Sequence, residues 1–436
     1  IFQGNSFYGD KVAAEDNNNF APRFGFAWDP FKDGKTSIRA GYGMFYDSIL
    51  FGNAETNIFN NPPTVNSVTI QNTSFDNPLS VSPTIALNPK RPRSLMDPSG
   101  ETPYTQQWSA DFQRDLGTGF LLDLGYFASK GTHLIGVLDI NQPVPFSYRD
   151  SLLCTATVTT NCIAPDAFVT GATTPLLNRI RPFPGYVGID GIRSSFNSNY
   201  HSLQAQLQKR FRGNSLLNFA YTWSHSLTDN QTDRSTAPQN SRDIAAEYGP
   251  SQQDRRHIFT MNWVYDLPFF RQQSGFTGHV LGGWVFSGIF TAQTGIPLTV
   301  TTTSNTDPAG LGCLGPSPCA VRPDQIGDPN VGSPQTLEEW FNTDAFANVP
   351  AGDFHIGTAR RGAVYGPGLW RADLSLFKGI RFTERFNGQF RFETFNAFNH
   401  LNPNCCGSLA LGNSLFGRIT SGREPRIIQL GFKFSF

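Results

Sequence analysis

The chain has 436 residues, of which only 16% are charged while 13% are aromatic. That charged fraction is well below the roughly 25% of a typical soluble domain. Because 34 basic residues balance 34 acidic ones, the chain lacks the basic excess that marks nucleic-acid-binding proteins. No apolar run approaches the ~18 residues of a transmembrane helix. The composition therefore excludes nucleic-acid binders and helical membrane proteins.

The chain opens with a polar, Asn-rich stretch over residues 1–21, which predicts a loop. It starts at Ile1 without a signal peptide, so we expect a fragment or the mature piece of a longer protein. The segment PRFGFAWDP then places Phe24, Phe26 and Trp28 at alternate positions, which is typical of a strand with one apolar face. An Asp-Gly turn predicts a hairpin into TSIRAGYGMFYDS, where apolar residues again alternate with polar residues or glycine.

The same alternation recurs through the rest of the chain, where short turns join successive strands in pairs. The predicted strands are TPYTQQWSADFQRDL with FLLDLGYFASKGTHL, NYHSLQAQLQKRF with SLLNFAYTWSHSL, DRRHIFTMNWVYDLP with GGWVFSGIFTAQTG, and LWRADLSLFKGIRF with RFNGQFRFETFNAFNH. The last strand, Pro425–Phe436, is apolar at every second position and ends on an aromatic. Aperiodic stretches separate the pairs and predict long loops at 48–102, 133–198, 229–253, 297–368 and 399–424.

The pattern amounts to about eleven strands, each long enough to cross a membrane at a tilt. Short turns alternate with long loops, an asymmetry typical of outer-membrane barrels with short periplasmic turns and long extracellular loops. We therefore predict an all-β fold, a partial antiparallel up-and-down transmembrane β-barrel located in the cell outer membrane. A soluble β-sandwich is the alternative, but it would need a partner sheet for every apolar face.

Aromatic residues cluster near the predicted strand ends, as the girdles of a membrane barrel do. The predicted girdle at the loop end consists of Tyr46, Tyr104, Tyr126, Tyr200, Trp223, Trp370 and Phe398. The opposite, polar face carries charged residues that we expect to face the lumen or a plug: Arg39, Asp111, Asp123, Arg371, Asp373, Arg391, Glu393 and Lys433. The simpler interpretation is that these residues are solvated and have no specific role.

The six cysteines fall in three close pairs within the predicted loops. Their spacing lacks the Cys-x-x-Cys or Cys/His pattern of a zinc site, so no metal or cofactor is predicted. Two local disulfides formed in an oxidising compartment are the better interpretation, Cys154 with Cys162 and Cys313 with Cys319. The redox state of Cys405 and Cys406 stays open.

No enzymatic site is predicted. His225 adjoins Ser224 and Ser226, but sequence neighbours on a strand point to opposite faces and cannot act as a catalytic pair. The run Asp254-Arg255-Arg256-His257 fits a solvated strand start, or binding of lipopolysaccharide phosphates, better than catalysis.

Several segments together resemble TonB-dependent outer-membrane transporters, and most closely their Oar-like branch: PRFGFAWDPFKDGKTSIRAGYGMFYD, YHSLQAQLQKRF, FAYTWSHSL, GGWVFSGIFTAQTGIPLTV and FRFETFNAFNHLNP. The resemblance covers nearly all strands and turns but not the long loops. It implies a barrel of about twenty-two strands, an N-terminal carboxypeptidase-regulatory-like domain and a plug. Residues 1–436 would then be the C-terminal half of the barrel, without plug or TonB box, and the strand at Pro425–Phe436 would have one unpaired edge.

The resemblance implies import of a scarce substrate, with energy delivered by the TonB complex through a plug and with ligand held by the long loops. It also implies that Phe432, Phe434 and Phe436 are read by the outer-membrane assembly machinery, and that lipid and lipopolysaccharide surround the barrel. The alternative function is an outer-membrane structural or adhesion protein that binds partners through its long loops. The substrate, and the direction of transport, are left open by the sequence.

Overall fold

The computed structural model describes residues 16–47, 101–147, 149, 152–163, 169–170, 174–211, 213, 215–231, 237–303, 306–314, 319–350, 353–381 and 386–436. Nearly all of the predicted loop 48–102 therefore lies outside the described residues. So does Thr383-Glu384, the short turn predicted between LWRADLSLFKGIRF and RFNGQFRFETFNAFNH.

Eleven strands, β1–β11, follow one another in chain order across a single antiparallel sheet. The predicted fold class is thereby confirmed, although the sheet is not closed, because β1 and β11 stand at its two ends. On its free side β11 has no partner among the described strands. The strands are β1 (Arg23–Trp28), β2 (Thr36–Tyr46), β3 (Tyr104–Gly117), β4 (Phe120–Asp139), β5 (Asp190–Arg210), β6 (Leu216–Thr228), β7 (His257–Asp266), β8 (Trp284–Gln293), β9 (Leu369–Arg381), β10 (Asn387–Phe395) and β11 (Ile427–Ser435).

The register aligns the two faces of neighbouring strands, so that the sheet has one apolar and one polar face. One row of the apolar face runs through Phe26, Ala40, Ala110, Tyr126, Leu203, Trp223 and His257. A shift of one residue would have turned an entire strand over. The strict period-2 alternation of the sequence is what specifies this register.

Among the residues that the structure describes, none covers the apolar face. Phe24 is 71% exposed, Leu430 65% and Phe432 61%. Such a continuous apolar surface is far larger than the patches that soluble monomers expose. The hydrophobic core lies elsewhere, in the segments that connect the strands at one end.

Strands β4 and β5 continue well beyond their predicted ends, into the predicted loop 133–198. Their pairing extends from Leu134 opposite Phe196 to Asp139 opposite Asp190, after a bulge that follows Gly131. The sequence Leu134–Leu138 shows no alternation because this extension packs on both sides, and strands buried on both faces read as continuous apolar runs. Phe196 and Ile192 are fully buried there.

The long connections fold together into what we call the loop cluster, residues 140–189, 229–256, 297–368 and 396–426. It contains helix α1 (Thr174–Leu177), the 3₁₀ turns Asn178–Ile180, Ile244–Glu247 and Thr343–Ala345, and, among the described residues, eleven two-residue strands. One of the eleven, Gly249–Pro250, pairs with β6 at the end of the sheet. Three apolar cores hold the cluster, centred on Leu311, Phe341 and Ile163.

The opposite end of the sheet carries short turns, with one exception. The connection between β7 and β8 contains a second helix, α2 (Gly275–Leu281). Neither described helix is long and apolar enough to cross a membrane. We refer to the two ends of the sheet as the long-loop rim and the short-turn rim.

All six cysteines are paired. Cys154 is bonded to Cys162 and Cys313 to Cys319, across sequence separations of 8 and 6, and Cys405 is paired with its neighbour Cys406. The first two pairs close small local loops within the loop cluster.

Candidate functional site

The eight charged residues predicted on the polar face fall into two separate groups. The first charged zone lies on β2–β4 and consists of Arg39, Asp111 and Asp123. In the register, Arg39 lies opposite Asp111. Its Nη2 approaches the Oδ2 of Asp123 at 4.0 Å and donates a hydrogen bond to Gln113 at 3.1 Å. These three predicted residues therefore share one electrostatic neighbourhood.

The second charged zone lies on β9–β11. Arg371 Nε donates to Asp373 Oδ1 at 2.6 Å, and the same oxygen accepts the backbone N–H of Asn396 at 2.8 Å. Arg391 stacks on the ring of Phe377. The remaining members of the zone, Glu393 and Lys433, lie opposite Gln429 and Gln389 in the register.

Between these zones the polar face of β5–β8 is an uncharged stripe from Tyr200 to Gln208 of β5 and over the residues paired with them. Arg210 and Asp266 lie on the same face at the short-turn rim. The side chains of the stripe are amides, hydroxyls and a few aliphatic groups: Ser202, Gln204, Gln206, Asn218, Thr222, Thr260, Asn262, Ser287 and Thr291. Neighbouring amides bond directly, as from Gln206 Nε2 to Asn218 Oδ1 at 2.8 Å and from Asn218 Nδ2 to Asn262 Oδ1 at 3.1 Å. The eight charged residues predicted on this face are thus divided by a stripe whose side chains away from the short-turn rim are neutral.

A cavity of about 400 Å³ opens on the polar face beside the first charged zone, toward the long-loop rim. Glycines at positions 41 and 43 leave its floor free of side chains, and the walls include Phe45, Phe127 and Tyr200. The ring of Phe45 lies over Gly43, in the space that a Cβ there would occupy. The volume falls within the range of small-molecule sites.

Arg23 stands at the edge of this cavity, with its guanidinium 4.6 Å from the centre of the Phe45 ring. Among the residues that the structure describes, no carboxylate pairs with it. Sequence reasoning missed Arg23, although its place one residue before the apolar Phe24 put it on the polar face.

The girdle assignment of Tyr200 was wrong, because Tyr200 pairs with Ser129 and Ser226 on the polar face while its neighbour His201 lies on the apolar one.

The apolar face near the long-loop rim carries pairs of tyrosine and histidine. Tyr126 bonds to His201 and Tyr221 to His257, each at 2.7 Å. His225, directly opposite His201, lies 3.4 Å from Asp254. Tyrosine and histidine rings have an apolar body and a polar tip, and they suit the boundary between the hydrocarbon and the headgroups of a membrane. At the long-loop rim the apolar face therefore ends in residues suited to that boundary.

The loop cluster is joined internally by a buried carboxylate, Glu247. Arg322 contacts both of its oxygens, at 3.0 and 2.8 Å, and Arg361 Nε reaches Oε2 at 3.1 Å. The backbone N–H of Gln239 adds a fourth hydrogen bond at 3.2 Å. One carboxylate therefore links the connection that follows β6 to the long connection before β9.

A second buried junction links the β4 extension to two other segments. Arg181 approaches Asp139 at 3.5 Å and donates to the carbonyls of Asn141 and Gly312 at 2.9 and 3.1 Å. Asp307 accepts the backbone N–H groups of Leu311 and Gly312 at 3.0 and 2.6 Å. Burial raises the pKa of both Asp139 and Asp307, and the Arg181 guanidinium opposes that shift.

A half-exposed histidine gives the cluster a pH-dependent link. The Asp324 carboxylate, which His355 Nε2 contacts at 2.8 Å, raises the pKa of His355 above its ordinary 6.5, and Asp353 adds to the effect. Because the pKa of His355 is higher in the folded state than in the unfolded state, this stabilisation is complete below pH 6.5 and is lost as the pH rises through the raised pKa.

We expect the amides of residues 353–358 to lose hydrogen-exchange protection across that pH range, after correction for intrinsic exchange rates. His355→Gln should exchange independently of pH; an unchanged pH dependence in that variant would contradict the assignment.

Across the described part of the chain, no group of three or more His, Cys, Asp or Glu residues is placed to hold a metal ion. The polar face offers hydrogen-bonding groups and two charged zones, and the loop cluster lies at the long-loop rim. Such a surface is suited to binding and guiding a polar ligand.

Comparison with known proteins identifies the family of the chain and proteins of similar fold. The profile of the family described as "outer membrane beta barrel domain" matches residues 1–429. The fold is similar to that of the outer membrane transporter YddB from Escherichia coli, at a TM-score of 0.50 and 12% identity over 96% of this chain and 40% of the transporter. The FrpB iron transporter from Neisseria meningitidis aligns at a TM-score of 0.42 and 10% identity over 96% of this chain and 39% of its own. No curated protein sequence matches. The chain thus spans well under half of the transporters it resembles in fold.

Proposed function

The chain belongs to the outer membrane beta barrel domain family, and from that premise we propose that it forms part of the barrel wall of a TonB-dependent transporter. Its location is the outer membrane, where the uncovered apolar face meets lipid. The transport role is supported by the sequence motifs of the strands and turns. The Oar-like branch, a plug and a carboxypeptidase-regulatory-like domain belong to the same proposal.

The observation that carries the proposal is the two-faced sheet of β1–β11, whose apolar face is uncovered while its polar face bears a cavity and two charged zones. In a transporter the polar face would line the lumen, and the zones would meet either the plug or the passing solute. The long-loop rim would be extracellular and the short-turn rim periplasmic. The loop cluster would then be the first part of the chain to meet a ligand.

The partners proposed are lipid and lipopolysaccharide at the apolar face, the TonB complex through a plug, and the outer-membrane assembly machinery. The last of these would read the end of β11, where Phe434 stacks on Phe386 at 5.8 Å and Phe436 is almost wholly exposed. The extracellular candidates for ligand binding are 133–198 and 297–368, together with 48–102 outside the described residues.

The proposal is tested by binding of the intact outer-membrane protein to the immobilised periplasmic domain of TonB. We expect saturable binding that a synthetic peptide of the TonB box abolishes, and unchanged binding by an Arg23→Ala variant, whose substitution lies on the barrel wall. An intact protein without affinity for TonB, but with adhesion to surfaces through its loops, would establish the adhesion alternative instead.

A further inference from the structure

We propose that the connection between β7 and β8, residues 267–283, is an interfacial membrane anchor that embeds in the phospholipid leaflet at the short-turn rim. The inference rests on the membrane location of the sheet and not on transport. We call this segment the α2 hairpin.

The α2 hairpin exposes an unusual amount of apolar surface for a turn. Phe276 is 85% exposed and Phe270 52%, and Phe269, Val280 and Leu281 are each about half exposed or more. Within helix α2, Phe276 and Val280 are four residues apart and share a face, and Leu281 adjoins it. Gly278 lies on the other side, where it packs against the backbone of Gln273. The helix is therefore amphipathic, with its apolar side turned away from the protein.

This exposure is not the result of a loosely attached turn. Gln273 is buried, and its Nε2 donates to the carbonyl of Gly379 on β9 at 3.1 Å. The backbone of Phe270 has φ +45°, a conformation that is unfavourable for a bulky L-residue and that the packing of its carbonyl against Gly282 holds in place. The fold thus fixes Phe270 in a strained conformation and leaves its ring outside.

The hairpin is attached to the apolar face of the sheet. Trp284 lies on the apolar face of β8 and donates its indole N–H to the carbonyl of Val280 at 3.0 Å. Lys378 lies opposite Trp284 in the register, stacks on its ring at 5.4 Å and donates to the carbonyl of Gly282. Both anchoring side chains belong to the lipid-facing surface, so the hairpin is held on the membrane side of the rim.

The exposed residues therefore continue the lipid-facing band past the end of the strands. Trp263, Tyr265 and Phe286 form the edge of that band directly beside the hairpin. An amphipathic helix with exposed Phe and Leu, set beside Trp and Lys at the edge of an apolar band, has the chemistry of a segment that lies in the headgroup and acyl boundary. The occupant we assign to this face is phospholipid of the periplasmic leaflet.

The test places an environment-sensitive label at two positions of the same hairpin. All native cysteines are paired, so Phe276→Cys introduces a single thiol. Ser274→Cys, at the exposed N-cap position of α2 and without a side-chain hydrogen bond to the helix, is the polar control. The intact protein is labelled with a nitrobenzoxadiazole maleimide and reconstituted in phosphatidylethanolamine/phosphatidylglycerol vesicles. Nitroxide-labelled lipids should quench the label at 276 at least about twofold more than the label at 274, with bluer emission at 276.

Two outcomes would overturn the proposal. Equal access of aqueous iodide to both positions would place Phe276 in water. A label at 276 that is shielded from iodide but also from lipid nitroxides would place it against a protein partner. Heat-modifiable gel mobility of both variants establishes that each barrel is folded, and a Phe276→Ser variant that keeps this mobility but elutes from vesicles at lower detergent would support the anchor independently.

Discussion

Replacing Glu247 by alanine is expected to open the loop cluster while the sheet remains assembled. The substitution leaves the guanidinium groups of Arg322 and Arg361, both largely buried, without the carboxylate that they share. Removing one partner of a buried ion pair costs about 3–5 kcal/mol because the remaining charge stays buried. When opening is fast relative to cleavage, proteolysis follows the open population, so cleavage within 297–368 should accelerate by roughly two to three and a half orders of magnitude. Heat-modifiable mobility of the barrel should be unchanged.

The matched control is Glu338→Ala, which removes the partner of Arg418. Glu338 is 76% exposed at its side chain, and exposed ion pairs contribute about 0–1 kcal/mol. Its proteolysis rate should rise by no more than a few fold. Equal acceleration in the two variants would show that the Glu247 junction does not hold the cluster together.

Replacing Arg181 by methionine is expected to destabilise the loop cluster by a similar amount, about 3–5 kcal/mol, but in a pH-dependent way. The side chains of Arg181 and Asp139 are 1% and 0% exposed, so Asp139 loses its countercharge without gaining water. Burial already raises the pKa of Asp139 and Asp307 from 3.8. Without Arg181 the pKa of each of these two carboxyls rises further. Each carboxyl can then be buried in its neutral, protonated form, which costs less free energy than burying the charge.

The sign of the pH dependence follows from linkage. In the variant the folded state binds protons more tightly than the unfolded state, so its stability falls as pH rises above 3.8. The defect should therefore be smallest in acid and full at neutral pH, as measured by hydrogen exchange of residues 139–142 and 307–313. Arg149→Met, an exposed arginine that stacks on Phe146 and Phe354, is the control and should show little change at any pH. A defect in Arg181→Met that does not vary with pH would contradict the junction.

Much of the sheet could be predicted from the sequence because one rule governs it. Between lipid and a polar interior, residues must alternate, and β1–β3 and β6–β11 alternate where the sequence predicted strands. The two charged zones follow from the same rule, since Arg39 and Asp111 were placed on the polar face before any pairing was known. Which charges meet which depends on register, and single-strand patterns do not contain it.

The loop cluster could not be predicted in this way because its contacts are non-local and carry no period. The partners of Glu247 lie 75 and 114 residues away in the sequence. The extension of β4 through Leu134–Asp139 was hidden for a related reason, since burial on both sides removes alternation. Tyr200 was misplaced because residue type was given more weight than its position next to His201.

The uncharged stripe has a consequence for how the polar face would respond to salt. Strands in a sheet are about 4.8 Å apart, so the five steps from β4 to β9 separate the two charged zones by about 24 Å. In a water-filled interior at physiological ionic strength the screening length is about 8 Å. The first and second charged zones are therefore electrostatically independent. Neutralising one should leave proton binding in the other unchanged. A charged solute moving between them, away from Arg210 and Asp266 at the short-turn rim, would meet neutral hydrogen-bonding groups on the wall.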